Sequence, residues 1–199
     1  MGTNTDRLII ERAIATADVE IAEHRIVSAG TERTFAAARD LDFLEVRTPL
    51  LDAAIWARGV PARMKGEPAP ELDSMRLGDA FDSGEMALPG WLVLGEEPGL
   101  ELAFGAVGRF WQPDIEWRDV PRDAFDDFAE PGWGKIAAGF SVLPYGGDRT
   151  LLTYACRVAM TDADSRRLFR RYWMLVRPFV GHIFRATLAT IATDAERSG

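Results

Sequence analysis

The sequence has few of the residues from which reactive sites are commonly built. Its 199 residues include one cysteine, Cys156, and two histidines, His24 and His182. A lone cysteine cannot form an internal disulfide, which favours a reducing cytoplasm. The histidines stand far apart, and neither lies in an HExxH motif or at a Cys/His spacing typical of zinc sites. We therefore expect no metal site and no cofactor.

Long apolar runs and the short motifs of common catalytic sites are also missing. No apolar run approaches the roughly 20 residues that span a bilayer, and residues 1–7 hold none, so we expect neither stable membrane insertion nor a secretory signal. No GxSxG motif occurs, and Ala137 stands where the loop around Trp133 would need a third glycine to bind a dinucleotide. Cys156 lies on the apolar face of a predicted strand, which favours an inert hydrophobe over a nucleophile.

Positive charge is scarce in the middle of the chain. The net charge is −8, and residues 67–130 carry 4 basic against 16 acidic side chains. An acidic segment repels phosphate backbones, so nucleic acid is not an expected partner. Further on, Arg167, Arg170, Arg177 and Arg185 fall on one strip of a predicted helix, which is typical of a solvated helix face.

What the sequence has in excess is one long amphipathic segment, residues 161–196. Thr161 with Asp164 resembles a capping box, and Pro178 predicts a kink or break within the helix. At 100° per residue, two apolar stripes lie side by side. Leu168, Tyr172, Leu175, Phe179 and Ile183 form the first stripe, and Phe169, Trp173, Val176, Val180, Phe184 and Ile191 form the second. They cover more than half of the circumference, which predicts that a curved sheet grips the helix.

The preceding chain predicts the sheet and two smaller helices. Residues 18–29 indicate a first strand, residues 31–44 a helix, and a second helix begins at Pro49. Residues 61–89 predict a long excursion, either at a cavity mouth or on the surface. Later strands are predicted at residues 91–96, 100–110, 115–120, 135–143 and 150–161. The last two strands flank the hairpin turn Tyr145–Asp148.

This order of elements resembles the SRPBCC superfamily, the START-like and polyketide-cyclase-like helix-grip proteins. The resemblance rests on IVSAGTERTFAAARDL after the first strand, AAGFSVLPYGGDRTLLTYACRV as the late hairpin, and the helix that follows Asp162. It implies an α+β helix-grip domain over residues 18–196, with residues 1–17 as an N-terminal extension. It also implies an apolar small molecule bound between the sheet and the terminal helix, where some members catalyse reactions.

Several side chains are candidates for contact with such a ligand. His182, at the edge of the apolar arc, could orient or protonate a ligand, or bond to backbone at the sheet edge. Arg109 beside Trp111 could bind a carboxylate, or pair with the acidic segment that follows. The predicted ligand-binding residues are Trp56, Arg109, Trp111, Trp133, Phe140, Tyr154, Tyr172, Phe179 and His182. We expect Phe179 and Ile183 to pack against Phe140 and Leu152.

Three functions are compatible with these patterns. The first is binding or carriage of an apolar, lipid-like or polycyclic molecule in an internal pocket of ~300–1,000 Å³. The second is an enzyme of the cyclase, aromatase or dehydratase kind that uses cavity groups such as His182. The third is a protein-interaction module with the acidic middle as its docking surface. The sequence holds no recognisable acid–base or nucleophile motif, which favours the first function.

Overall fold

A curved sheet and one long helix organise the chain. The computed structural model describes residues 7–46 and 74–197. Within them, a six-stranded antiparallel sheet packs against the C-terminal helix. In chain order the elements are α1 (Ile9–Ala13), β1 (Val19–Val27), α2 (Thr31–Arg39), a 3₁₀ turn (Phe43–Glu45), α3 (Leu77–Ser83), β2 (Trp91–Glu97), β3 (Glu101–Gly108), β4 (Trp117–Arg118), α4 (Arg122–Phe125), β5 (Gly134–Pro144), β6 (Thr150–Met160) and α5 (Ala163–Arg197).

The strand order explains how the sheet grips the helix. It runs β1-β6-β5-β3-β2, and β4 pairs with β3. Each neighbouring pair is antiparallel, and Phe140 of β5 lies opposite both Leu102 of β3 and Tyr154 of β6. Because side chains alternate along a strand, these residues point to the same face of the sheet. The predicted α+β helix-grip architecture is confirmed.

The β5–β6 hairpin forms where the sequence predicts it. Its turn contains Gly146 and Gly147, both at positive φ, with values of 79° and 60°. Glycine adopts this backbone region without the steric cost that a Cβ atom brings. The turn therefore sets the register in which Phe140 faces Tyr154.

Apolar side chains cover both faces of the sheet. The face toward α5 carries the inner cluster, which contains Leu102, Phe104, Phe140, Leu152, Tyr154, Cys156, Phe169, Phe184, Leu188 and Ile191 among others. The opposite face carries the outer cluster, made by Ile9, Ile10, Ala13, Ile14, Leu94, Ala103, Val107, Phe125, Trp133 and Ala137. Helices α1 and α4 supply Ile10 and Phe125 to the outer cluster, so β3 is buried along its whole length.

Asp162, rather than Thr161, caps the N-terminus of α5. The backbone N–H groups of Asp164 and Ser165 each donate to Asp162 Oδ1 at 2.9 Å, and the Ser165 hydroxyl donates to Oδ2 at 2.7 Å. The bonds from Ser165, together with one from the Gly132 N–H, lower the pKa of the Asp162 carboxyl. Thr161 instead binds the backbone of Trp133 through its hydroxyl, so the N-cap lies one residue later than predicted, at Asp162.

The buried face of α5 is the second predicted stripe. Phe169, Phe184 and Ile191 are buried in the inner cluster, whereas Leu168 and Leu175 of the first stripe are exposed. Gly181, Ala192 and Ala195 are also buried, and small side chains let the helix approach the sheet closely on that side. The prediction that Phe179 and Ile183 fill the core is wrong. Both are half-buried, and Phe184 packs on Tyr154 instead.

The break predicted at Pro178 does not occur. Helix α5 continues unbroken from Ala163 to Arg197. Proline removes one backbone hydrogen bond, and the tertiary packing of Phe169 and Phe184 on either side holds both halves helical. In the described part, no helix is long and apolar enough to cross a membrane.

Two further predictions change in detail. The excursion predicted for residues 61–89 contains α3, whose Leu77 and Ala80 are buried at helical spacing. Only Trp117–Arg118 of the strand predicted at residues 115–120 pairs with β3. The helix predicted from Pro49 lies outside the described residues.

Candidate functional site

An aromatic stack occupies the middle of the inner face. The ring of Tyr154 lies between Phe184, with centroids 3.8 Å apart and planes at 17°, and Phe140, at 4.3 Å. Phe104 continues the stack at 6.2 Å from Phe140. Phe43, from the 3₁₀ turn, contacts both Phe104 and Phe140. Three strands, the turn and α5 therefore hold one continuous aromatic wall.

A second group of aromatic side chains lies only half-buried around this stack. We call it the aromatic rim; it consists of Trp91, Trp111, Trp117, Tyr172 and Trp173, which all pack against the inner cluster. Trp91 connects the rim to the stack through Phe104, at 5.9 Å, and to Trp117, at 5.8 Å. Half-burial leaves part of each ring in contact with solvent. The rim is thus apolar surface that a ligand can cover.

The Tyr154 hydroxyl is the polar group at the centre of this wall. The side chain is 7% exposed, yet no hydrogen bond among the described residues involves its hydroxyl. In this part of the chain, no fully buried side-chain oxygen or nitrogen lacks a partner. The hydroxyl must therefore reach solvent-accessible space at the tip of a ring that is otherwise enclosed.

Burial moves the pKa values of both polar groups of the wall further above pH 7. Desolvation raises the pKa of Tyr154 far above its ordinary value, and the neighbouring Cys156 adds to the shift. Desolvation also raises the pKa of Cys156 to about 12. At pH 7 the wall therefore presents a neutral phenol, which can donate or accept a hydrogen bond, and a neutral thiol.

The structure brings four of the predicted site residues together. Phe140 and Tyr154 are in contact in the stack, and Trp111 and Tyr172 belong to the rim. Phe110 and Phe169 connect the last two: Phe110 lies 5.4 Å from Trp111 and 5.5 Å from Phe169, and Phe169 lies 6.2 Å from Tyr172. All four residues therefore belong to, or pack against, the inner cluster between the sheet and α5.

Arg109 and Trp133 are separated from that surface. Trp133 belongs to the outer cluster, and the Arg109 guanidinium lies 4.3 Å above its ring. Arg109 also pairs with Glu116 at 2.7 Å and donates to the Gly132 carbonyl at 3.0 Å. Of the two alternatives for Arg109, the structure shows pairing with the acidic segment that follows.

The remaining predicted residues lie elsewhere. His182 is half-buried and takes part in an interaction of its own. It lies two residues from Phe184, about 200° around the helix, so it does not share the face that meets Tyr154. Phe179 is also half-buried, and Trp56 lies outside the described residues.

Sequence reasoning missed several residues of the wall. Phe104 shares a strand face with Phe110 by simple alternation, and that face is the inner one. Phe43 enters the stack from a 3₁₀ turn, for which the sequence carries no periodic signal. Alternation also gives the location of Trp133, since Gly134, Ile136 and Phe140 face inward and residue 133 therefore faces outward.

A pocket of about 370 Å³ opens at the edge of the sheet–helix interface, between β1 and α5. Its lining is Ile21, Glu23, Arg177, Pro178, Gly181 and Arg185. Glu23 and Arg185 form an ion pair across it at 2.5 Å. Half of this lining is charged, so this open pocket is not the apolar internal pocket expected from the sequence. The described residues contain no cluster of side chains suited to a metal ion.

The strand order and the gripped helix place the chain in the helix-grip fold class. No protein-family model matches it, and no curated protein matches it. Hypothetical protein jhp0584 from Helicobacter pylori is 12% identical, with 98% of this chain and 98% of that chain covered and a TM-score of 0.47. The Zhui aromatase/cyclase from Streptomyces sp. R1128 is 10% identical, with coverage of 90% and 94% and a TM-score of 0.34. Because these scores are low, the fold assignment rests on the described structure of this chain.

Proposed function

We propose that this protein binds an apolar small molecule against the aromatic wall between the sheet and α5. The Tyr154 hydroxyl carries the proposal, because it is a nearly enclosed polar group without a hydrogen-bond partner among the described residues. A single accessible polar group on a largely apolar wall is the arrangement that orients a ligand in many binding sites. A ligand oxygen can replace the solvent at this hydroxyl.

The shape of the wall favours a flat, apolar ligand. Aromatic rings prefer offset-stacked or edge-to-face contacts, and the rim contains the half-buried rings of Trp91, Trp111 and Trp173. Covering such surface contributes about 25 cal/mol per Å² of apolar area removed from water. Binding pockets commonly combine a largely apolar lining with a few polar groups that set orientation.

The Tyr154 hydroxyl requires the ligand to carry one polar atom at a matching position. The phenol is neutral at pH 7, as an ordinary tyrosine is, and burial raises its pKa further, so it can donate to a carbonyl or ether oxygen or accept from a hydroxyl. We therefore propose a polycyclic or lipid-like molecule with one oxygen placed to meet Tyr154. Membership of the SRPBCC superfamily, the single domain over residues 18–196 and the cytoplasmic location are parts of the same proposal.

A matched pair of tryptophan variants tests where the ligand lies. An apolar fluorescent dye is titrated into wild type and then displaced by a panel of polycyclic and fatty compounds. Trp111→Leu, in the rim, is expected to weaken dye binding about tenfold. Trp133→Leu, in the outer cluster, should lower stability and leave the affinity of the folded protein unchanged. Equal affinity losses in both variants would contradict the location.

Native mass spectrometry of protein purified from its own host then identifies any molecule that is carried. Incubation of that molecule with the protein, followed by mass analysis, separates the two leading functions. A ligand recovered with unchanged mass supports carriage. A product that forms only in the presence of the protein would favour the cyclase, aromatase or dehydratase alternative.

A further inference from the structure

The first half of α5 exposes large apolar side chains to solvent. Leu168 is 53% exposed, Met174 is 74% exposed and Leu175 is 81% exposed. They fall within eight residues of one helix whose opposite side is buried in the inner cluster. Single exposed apolar residues are ordinary, but three in two turns form a local concentration that folding itself does not require.

Arginines lie among these apolar residues. Arg167, Arg170, Arg171 and Arg177 are all exposed. Only Arg167 of the four has an ion-pair partner among the described residues, the equally exposed Asp164 one turn earlier. Exposed pairs of this kind contribute little to stability. The guanidinium groups are therefore available to an external negative charge.

The charge of this helix surface is positive, opposite in sign to the net charge of the whole protein. The chain carries a net charge of −8, with its acidic side chains concentrated in residues 67–130. An anionic target would attract the arginine face of α5 and repel the acidic middle, so electrostatics alone would orient the molecule. Exposed leucine and methionine do not suit a phosphate backbone, which makes nucleic acid a poor target for this face.

We propose that the first half of α5 is a docking surface for an anionic lipid bilayer. A basic amphipathic helix lies in the membrane interface with apolar side chains in the acyl boundary and arginines among the headgroups. On α5, Leu168 and Met174 lie about 120° apart around the axis, with Arg167 and Arg171 between them. An interleaved pattern suits a bilayer surface, where arginine stems lie along apolar surface while their heads reach phosphate. A protein groove needs a continuous apolar stripe instead.

The docking surface adjoins the aromatic rim. Tyr172 and Trp173, which pack on the inner cluster, occupy the same helical turn as Met174. Docking would therefore bring the rim close to the membrane interface. The proposal does not depend on the identity of any bound molecule, since it rests on Leu168, Met174, Leu175 and the neighbouring arginines alone.

Vesicle flotation with the full chain tests this surface. Wild type should float with phosphatidylcholine vesicles that contain phosphatidylserine, should not float with pure phosphatidylcholine vesicles, and should bind less as salt rises. The double variant Arg170→Gln/Arg171→Gln should weaken binding at least tenfold, since each arginine near the surface contributes about fivefold. Met174→Ser/Leu175→Ser should weaken it about tenfold.

Leu143→Ser/Arg149→Gln is the matched control, because both residues are exposed at the β5–β6 turn. It should bind vesicles like wild type, and circular dichroism should show all variants folded. No flotation by wild type, or equal flotation with neutral vesicles, would overturn the proposal. Binding to soluble polyglutamate that is as tight as binding to vesicles, and indifferent to Met174 and Leu175, would also overturn it and identify an acidic protein partner.

Discussion

The two faces of the sheet are buried in different ways. The outer face presents a row of small residues in register, Ala22, Ala155, Gly139 and Ala103, and Ile10 of α1 lies directly on Gly139. The inner face presents large aromatic rings that stack on one another and end in a half-buried rim. Small residues permit close approach of a helix, whereas large rings around an open edge leave surface uncovered.

The polar groups on the two faces differ in whether the fold itself supplies their hydrogen-bond partners. On the outer face, Glu101 is 1% exposed and accepts hydrogen bonds from the N–H groups of Ile9, at 2.6 Å, and Ile10, at 3.3 Å. Lys135 donates to the Asp126 carbonyl at 2.7 Å. On the inner face, the Tyr154 hydroxyl makes no such bond among the described residues. The outer polar groups complete the fold, and we propose that the inner one serves a ligand.

The largest expected difference between the faces comes from removing one aromatic ring on each. Phe125→Ala empties a fully buried site of the outer cluster and should cost about 3–5 kcal/mol in the free energy of unfolding. Trp111→Ala removes a half-buried ring of the inner rim and should cost about 1–2 kcal/mol. Urea unfolding of the two variants measures both values. Equal costs would show that the rim is as tightly packed as the outer cluster.

A smaller effect tests the close packing of α1. A Cβ atom at Gly139 would touch the Leu102 carbonyl oxygen and lie 3.3 Å from Ile10 Cγ2, and the backbone oxygen cannot move away. Gly139→Ala should therefore cost about 1–3 kcal/mol in the free energy of unfolding. Ser141→Ala, on the same face of β5, adds no atoms and should stay within about 0.5 kcal/mol. A neutral Gly139→Ala in the same urea titration would mean that α1 is loosely held.

The cap of α5 gives the next effect and a pH dependence. Asp162→Ala should cost about 0.5–2 kcal/mol, and Asp162→Asn, which can also cap, should cost less. Because hydrogen bonds hold the folded pKa of Asp162 below its unfolded value near 3.9, its stabilisation is present above that value. It is lost as the pH falls toward the folded pKa. Thermal unfolding of Asp162→Asn should thus depend less on pH in the acid range than that of wild type, and parallel profiles would contradict this cause.

Much of the fold follows from the sequence by alternation and turn chemistry. The hairpin at Gly146 and the inward faces of β5 and β6 match prediction, because strand parity fixes which side chains share a face. The sequence does not predict which of the two stripes of α5 is buried, because both stripes consist of apolar residues. Tertiary packing selects between them: Phe169 and Phe184 are buried in the inner cluster, and Gly181 leaves no Cβ atom to press on Glu23 of β1.

The positions of the candidate site residues follow from the sequence to a similar extent. Strand parity in the late hairpin predicts that Phe140 and Tyr154 face inward, as they do. The same parity places Arg109 and Trp133 on the outer face, whatever their residue type favours. The position of Phe43 in the stack depends on long-range contacts with Phe104 and Phe140, which short-range patterns do not encode.

The variant with the smallest expected change in stability is also the most direct test of the claim that the Tyr154 hydroxyl serves a ligand. Tyr154→Phe removes one hydroxyl that has no hydrogen-bond partner within residues 7–46 and 74–197, so urea unfolding of the ligand-free variant should match wild type within about 0.5 kcal/mol or show a slight gain. Calorimetric binding of the molecule identified by mass spectrometry should weaken by about 1–3 kcal/mol, because the ligand then loses its hydrogen-bond partner. A marked loss of stability with unchanged affinity would contradict the account and show that the hydroxyl serves the fold.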